Sequence, residues 1–190
     1  MNTANKRNKT YSYNEYLELE KETNEKHDFF FGEVFNLAGG TIKHNLIVNN
    51  ISYTLKGRLK NKRCLILTEN VKFEIKKDDF YVYPDIMLTC DEEDLKNNKD
   101  TLIKHPIIII EILSESTELY DRNTKKKFYL EHPSLKYYLL VSQETQRVEM
   151  YEKNNSHIEY SYYEKSEEII NFRQLDFNMS VSDIYGTESL

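Results

Sequence analysis

The sequence predicts an α/β fold of the α+β type, on three observations. The run Pro106-Ile107-Ile108-Ile109-Ile110-Glu111-Ile112-Leu113 is almost unbroken in branched apolar residues, as in a central strand covered on both faces. Strand-like segments lie on either side of it, the clearest alternating with a period of two over residues 28–37. Elsewhere apolar residues recur at helical spacing, as at Val48, Ile51, Leu55 and Leu59.

Taken in order, residues 1–10 read as a polar tail and Tyr13 to Glu22 as a short amphipathic helix with Tyr16 and Leu17 turned inward. The strand over 28–37 carries Phe29, Phe31, Glu33, Phe35 and Leu37 on one face. Gly39-Gly40-Thr41 ends it and offers a helix start, which places His44 on the inward face of the next helix's first turn. Strands are expected at 64–67, 71–75 and 80–88, with the turn-prone Lys76-Lys77-Asp78-Asp79 before the last. Asp91 to Asp100 is a charged connection to the central run. A helix is expected from Asp121 to His132, stopping before Pro133, followed by strands at 137–141, 148–152 and 158–163 and a short helical turn over 180–185. Internal repeats and linkers rich in Gly, Pro or Ser are lacking, so residues 11–190 read as a single domain.

Composition narrows the function classes. With 190 residues, 39% apolar, 31% charged, fifteen Tyr, nine Phe and no Trp, the chain has the make-up of one globular domain with an aromatic-rich core. A net charge of -6 argues against a passive nucleic-acid coat that binds by charge alone. Cys64 and Cys90 lack any zinc-type spacing and read as small buried hydrophobes rather than a disulfide. Neither a signal peptide nor a membrane-spanning run stands out, so no membrane association is expected and a reducing cytoplasm is the expected location. The pattern Gly-x-Ser-x-Gly is absent, and Gly39-Gly40-Thr41 lacks the lysine of a phosphate loop.

The chemistry-bearing residues are acids inside apolar strands. Asp85 and Glu111 each interrupt a strand that otherwise reads as buried, and a buried unpaired carboxylate costs several kcal/mol. A divalent cation would serve both, since neighbouring carboxylates are the donors Mg2+ prefers. The plainer readings are a turn-capping acid for Asp85 and an ion pair with a lysine for Glu111. Pro84 cannot donate to a ladder and marks an edge, a strand start or a bulge, and a strand opened there would turn Asp85 toward a cleft. On the following helix Asp121, Lys125 and Tyr129 share one face, so Lys125 leans toward the sheet, although a solvated lysine-rich helix is the alternative. Glu33, flanked by Phe31 and Phe35, and His44 complete a candidate pocket, His44 also being explicable as a satisfied helix-terminal histidine. Two basic runs, one with Lys56, Arg58 and Lys60 and one with Arg122 and Lys126, are candidate phosphate contacts or solvated helix faces.

The ordered set Phe31-Gly32-Glu33-Val34, His44, Tyr83-Pro84-Asp85, Ile110-Glu111-Ile112-Leu113-Ser114, Tyr120-Asp121-Arg122 with Lys125 and Tyr129, and Pro133-Ser134-Leu135 resembles the Uma-two family of restriction-endonuclease-like proteins. That family lies within the PD-(D/E)XK nuclease superfamily, and the resemblance runs from about Tyr13 to Tyr185. It implies a restriction-endonuclease-like mixed β-sheet flanked by helices and metal-dependent hydrolysis of DNA phosphodiester bonds. Asp85, Glu111 and Glu33 would be ligands of Mg2+ or Mn2+, and Lys125 would orient water, with His44 and Asp121 in support. The superfamily lysine stands two residues after the second acid, where this chain has Leu113. The resemblance implies that the lysine has moved to the next helix, at Lys125. Two other readings stay open: a non-catalytic DNA-binding or regulatory relative of the same fold, and a homo-oligomeric interaction module, such as a homodimer, formed through the aromatic strands between Tyr137 and Tyr163.

Overall fold

Ser12 and Glu15 form a reciprocal capping box that starts α1 (Tyr13–Thr23). The computed structural model describes residues 9–37, 39–96 and 101–186, so most of the expected N-terminal tail and part of the charged connection lie outside the described residues. Tyr16 is fully buried and its hydroxyl donates to the His27 carbonyl at 3.0 Å, anchoring α1 to β1 (His27–Phe30).

The single strand expected over 28–37 is in fact a hairpin. Phe31 and Gly32 have φ of 46° and 90°, the two left-handed positions of a two-residue turn, and the chain reverses into β2 (Glu33–Asn36). Glu33 therefore lies opposite Phe30, exposed to solvent, whereas Asp28 on β1 is buried. Phenylalanine seldom adopts positive φ, which is why the sequence pattern conceals the turn.

Thr41 caps α2 (Ile42–Arg58) by accepting from the His44 amide at 3.0 Å, and the helix buries Ile47, Val48, Ile51 and Leu55. Next come β3 (Leu65–Thr68), β4 (Lys72–Lys76), β5 (Phe80–Val82), β6 (Ile86–Thr89), α3 (Glu92–Lys96), β7 (Leu102–Ile103) and β8 (Ile108–Leu113). The following helix is not uniform: α4 (Glu118–Tyr120) passes through a π-turn (Asp121–Lys125) into α5 (Lys126–Glu131). The chain ends through β9 (Tyr137–Ser142), β10 (Val148–Lys153), β11 (Ile158–Tyr163), β12 (Ile169–Phe172), β13 (Phe177–Ser180) and α6 (Val181–Tyr185).

Both larger sheets are mixed, and helices flank them. One has the order β2-β1-β5-β4-β7, the other β11-β10-β9-β8-β6-β3; β4 with β7 and β8 with β9 are parallel, the remaining pairs antiparallel. Of the connections that pass between these sheets, the β3 to β4 crossing at Glu69-Asn70 and a second, from β5 to β6 at Tyr83-Pro84-Asp85, meet where the Glu69 amide donates to the Asp85 carbonyl at 3.2 Å. The expected continuous strand over 80–88 is split by this second crossing.

The apolar run in β8 alternates between two cores. Ile108, Ile110 and Ile112 pack on the side of α2, α6 and the β12–β13 hairpin; Ile109 and Leu113 pack on the side of the other sheet and α5. Glu111 shares the second side by strand alternation. Of the aromatics between 137 and 163, Tyr137 and Tyr138 are buried, while Tyr160 and Tyr162 are exposed on the edge strand β11.

Cys64 and Cys90 are disulfide-bonded, which corrects the expectation of two unpaired hydrophobic cysteines. The β3–β6 register pairs Leu65 with Thr89, so the flanking cysteines fall opposite each other. That register is a tertiary property that sequence spacing does not reveal. No described helix is long and apolar enough to cross a membrane.

Candidate active site

Pro84 interrupts backbone pairing just ahead of β6, and the β6–β8 ladder begins at Ile86 opposite Ile110. The Ile112 amide donates to Asp85 Oδ2 at 2.6 Å instead, and the Asp85 amide donates to Glu111 Oε2 at 3.2 Å. Asp85 and Glu111 are thus locked together through each other's strands.

Helix α5 and the π-turn cover Glu111. Lys125 Nζ donates to Glu111 Oε1 at 3.1 Å and the Tyr129 hydroxyl donates to the same oxygen at 2.8 Å. Lys125 also lies 3.0 Å from Asp121 Oδ1, an ionic contact without hydrogen-bond alignment, and 3.6 Å from Asp28 Oδ2. The π-turn ends where the Lys126 amide reaches the Asp121 carbonyl, which also accepts from the Tyr138 hydroxyl at 3.1 Å. Such a one-residue widening re-aims the side chains that follow it. Leu113, at the position where the superfamily pattern has its lysine, packs into the core beside Tyr129 and Tyr138.

Asp28 enters the cluster although sequence reasoning passed over it. Its Oδ1 accepts from the Tyr83 amide at 3.0 Å, and it is buried where Glu33 was expected. Glu33 makes no side-chain hydrogen bond or ion pair among the described residues, because the turn at Phe31-Gly32 sends it to the outer end of the hairpin. The second omission is Glu69, in a left-handed turn position at φ 50°. Its Oε1 lies 3.2 Å from His44 Nε2, which is also 3.4 Å from Asp85 Oδ1. His44, Glu69 and Asp85 each offer a donor atom within 4.8 Å of the others. Only the acid next to Pro84 had a sequence signal; Glu69 had none.

Charge is unevenly balanced. Burial drives the Glu111 carboxyl up to about 8, against the pull of Lys125 and with the repulsion of Asp121 and Asp85. Asp28 is pushed up by burial to about 6, partly countered by Lys125. Burial disfavours the Lys125 ammonium, yet Glu111, Asp28 and Asp121 together hold it charged, well above the ordinary lysine range. One ammonium among three buried acids cannot neutralise them all, so at neutral pH the cluster retains a shared proton or recruits a further cation. Burial works against protonated His44, but Asp85 and then Glu69 outweigh it and raise its pKa. The Tyr120 hydroxyl is buried without a partner among the described residues, and Lys125 lies 5.4 Å from its ring centre.

The donor set suits a hard divalent cation: carboxylates on adjoining strands, in negative excess, beside a fixed ammonium. Access is from one side, since the Glu69 and Asp85 side chains are 35% and 21% exposed whereas Glu111 is 3% exposed.

The expected phosphate contacts diverge. Lys56, Arg58 and Lys60 are exposed at the far end of α2, Lys56 about 18 Å along the helix from His44. Arg122 instead grips Glu149 through both terminal nitrogens, at 3.0 and 2.8 Å, and Glu118 at 2.6 Å, so it is committed to carboxylates of its own chain. Lys126 is half-buried, 5.2 Å from the Tyr151 ring centre.

Residues 13–182 match the model of the Uma2 family, described as "Putative restriction endonuclease". Two uncharacterized proteins of Synechocystis are similar in sequence. One is 36% identical over 141 residues, covering 74% of this chain and 73% of the relative; the other is 34% identical over 139 residues, covering 73% and 78%. A crystal structure from Anabaena variabilis, of "a putative nuclease belonging to DUF820", superposes with a TM-score of 0.74 at 17% identity, covering 92% of this chain and 97% of that one. At that identity the likeness is one of fold.

Proposed function

Since this chain belongs to the Uma2 family of restriction-endonuclease-like proteins, we propose that it is an endonuclease hydrolysing DNA phosphodiester bonds with Mg2+ or Mn2+ at Asp85, Glu111 and Lys125. The observation that carries this reading is the ammonium of Lys125, from the helix after β8, 3.1 Å from Glu111 and thus beside the carboxylate pair. Asp85 and Glu111 would hold the cation. When bound, the cation supplies polarisation of a phosphate oxygen and a lowered pKa for a bound water.

The chain's own residues have separable tasks. Lys125 is held protonated by Glu111, Asp28 and Asp121, so it acts as a fixed positive charge that orients water and offsets charge building on the phosphate, not as a base. Tyr129 and the Asp85 amide fix the two oxygens of Glu111, and the Ile112 amide fixes Asp85. Asp28 and Asp121 position Lys125. Lys56, Arg58 and Lys60 would contact the DNA backbone away from the scissile bond.

Nicking of supercoiled plasmid tests the reading. Cutting is expected with Mg2+ or Mn2+, none with chelator, and a loss on the order of 10²-fold or more in Asp85→Ala, Glu111→Ala and Lys125→Ala proteins with unchanged circular dichroism. Equal cutting by the variants would sink the proposal.

A further inference from the structure

Besides the Asp85–Glu111 pair, the open side of the cluster holds donors of another kind. The His44 imidazole is fixed from three directions. It follows the Thr41 cap in the first turn of α2, Gly40 lies so close that an added Cβ would stand 2.9 Å from its Cδ2, and Nε2 points at two carboxylates. The separations of 3.2 and 3.4 Å from Nε2 to Glu69 Oε1 and Asp85 Oδ1 fall between the edges, about 3.0 and about 3.4 Å, of an octahedron and a tetrahedron with metal–ligand bonds near 2.1 Å. Glu69 reaches this point from a left-handed backbone at φ 50°, where the β3 to β4 crossing meets the β5 to β6 crossing.

We infer that His44, Glu69 and Asp85 form a second cation site, sharing Asp85 with the first and selecting a transition-type ion such as Mn2+ or Zn2+ over Mg2+. One imidazole and two carboxylates are a borderline donor set, whereas Mg2+ prefers oxygen donors and retains its waters. Three protein ligands leave coordination positions free for water or a phosphate oxygen, and the exposure of Glu69 and Asp85 puts those positions toward solvent. Glu111 takes no part in this set; its own contacts are with Lys125, Tyr129 and the Asp85 amide.

The inference deepens the nuclease reading but is tested without it. Calorimetric titration of metal-free full-length protein with Mn2+ and with Mg2+ alone, no DNA present, is expected to give one more bound Mn2+ than Mg2+ per chain. His44→Gln and Glu69→Gln should each lose that additional Mn2+ or bind it at least about tenfold more weakly, while Glu111→Gln retains it. Both substitutions are close in size, and Glu69 lies on a surface turn, so circular dichroism is expected to remain native. Equal Mn2+ and Mg2+ counts in the unaltered protein, or unchanged Mn2+ binding in both variants, overturns the site. Additional Mn2+ binding in a protein that nicks no plasmid keeps the site and removes the nuclease; Mg2+-dependent nicking without the additional Mn2+ does the reverse.

Discussion

At Lys125 Nζ three acids converge, and their number makes the stability of the metal-free protein depend on pH. Glu111 titrates near 4.5 when unfolded and near 8 when folded, so between those values the folded state holds more protons and stability falls as pH rises. Asp28 acts in the same sense between 3.8 and about 6. The raised pKa of His44 also acts in that sense, its contribution being full below 6.5 and lost as pH climbs through the folded value. Lys125, raised from 10.5, contributes throughout this range and does not oppose the trend. His132, lowered by burial to about 4, opposes this trend below 6.5, so the melting temperature in chelator is expected to decline from pH 6.5 to pH 8, with a shallower slope in Glu111→Gln and in saturating Mn2+. A melting temperature that rises over that range would contradict this charge balance. Asp85 and Glu111 were legible because each breaks an apolar strand; Asp28 was not, since it stands at a strand start where acids are ordinary.

The hairpin and the helix decide which residues reach the cluster. Gly32 sits at φ 90° with a prospective Cβ 3.3 Å from the Tyr11 carbonyl oxygen, so Gly32→Ala should cost roughly 1–3 kcal/mol and lower the melting temperature by about 3–10 °C. An unchanged melting curve would mean that the turn relaxes without strain. The disulfide joins the ends of the β3–β6 pair across 26 residues, and closing a loop of that length stabilises by about 3 kcal/mol. Thiol titration in denaturant should find no free cysteine, and Cys64→Ser with Cys90→Ser should lower the melting temperature by about 6–12 °C. Two free thiols in the purified protein would exclude the bond. The helix over 121–132 was readable from its spacing, but its π-turn was not: the Lys126 amide reaches back to the Asp121 carbonyl, which also accepts from Tyr138 on β9, a strand distant in sequence.

Across the whole molecule, a net charge of -6 means that, under the proposed function, DNA would be met on local basic faces. Lys56, Arg58 and Lys60 are exposed at and just beyond the end of α2 opposite His44, Arg58 lying 3.7 Å from Asp183. Replacing all three by Ala should weaken DNA binding uniformly across sequences and reduce the slope of log affinity against log salt by about 0.9 per lost phosphate contact. Measured by fluorescence anisotropy over a salt series, an unaltered slope would show that this face does not meet DNA. Arg122 is excluded from that role by Glu149 and Glu118, a partnership visible only once β10 lies beside the helix.

By itself the sequence determined the central strand at 108–113, the acids Asp85 and Glu111 as interruptions of apolar strands and the lysine-bearing helix, because periodicity and interrupted apolar runs are local signals, and its family resemblance implied the mixed, helix-flanked architecture. Tertiary structure decided the rest. The fold splits the expected sheet in two, turns Glu33 outward and Asp28 inward through one left-handed turn, pairs Cys64 with Cys90 by register, and brings Glu69 to His44 at the point where two crossings meet. The turn depends on an uncommon backbone conformation at Phe31, and the others on how separate strands align in space, of which sequence spacing carries no direct record.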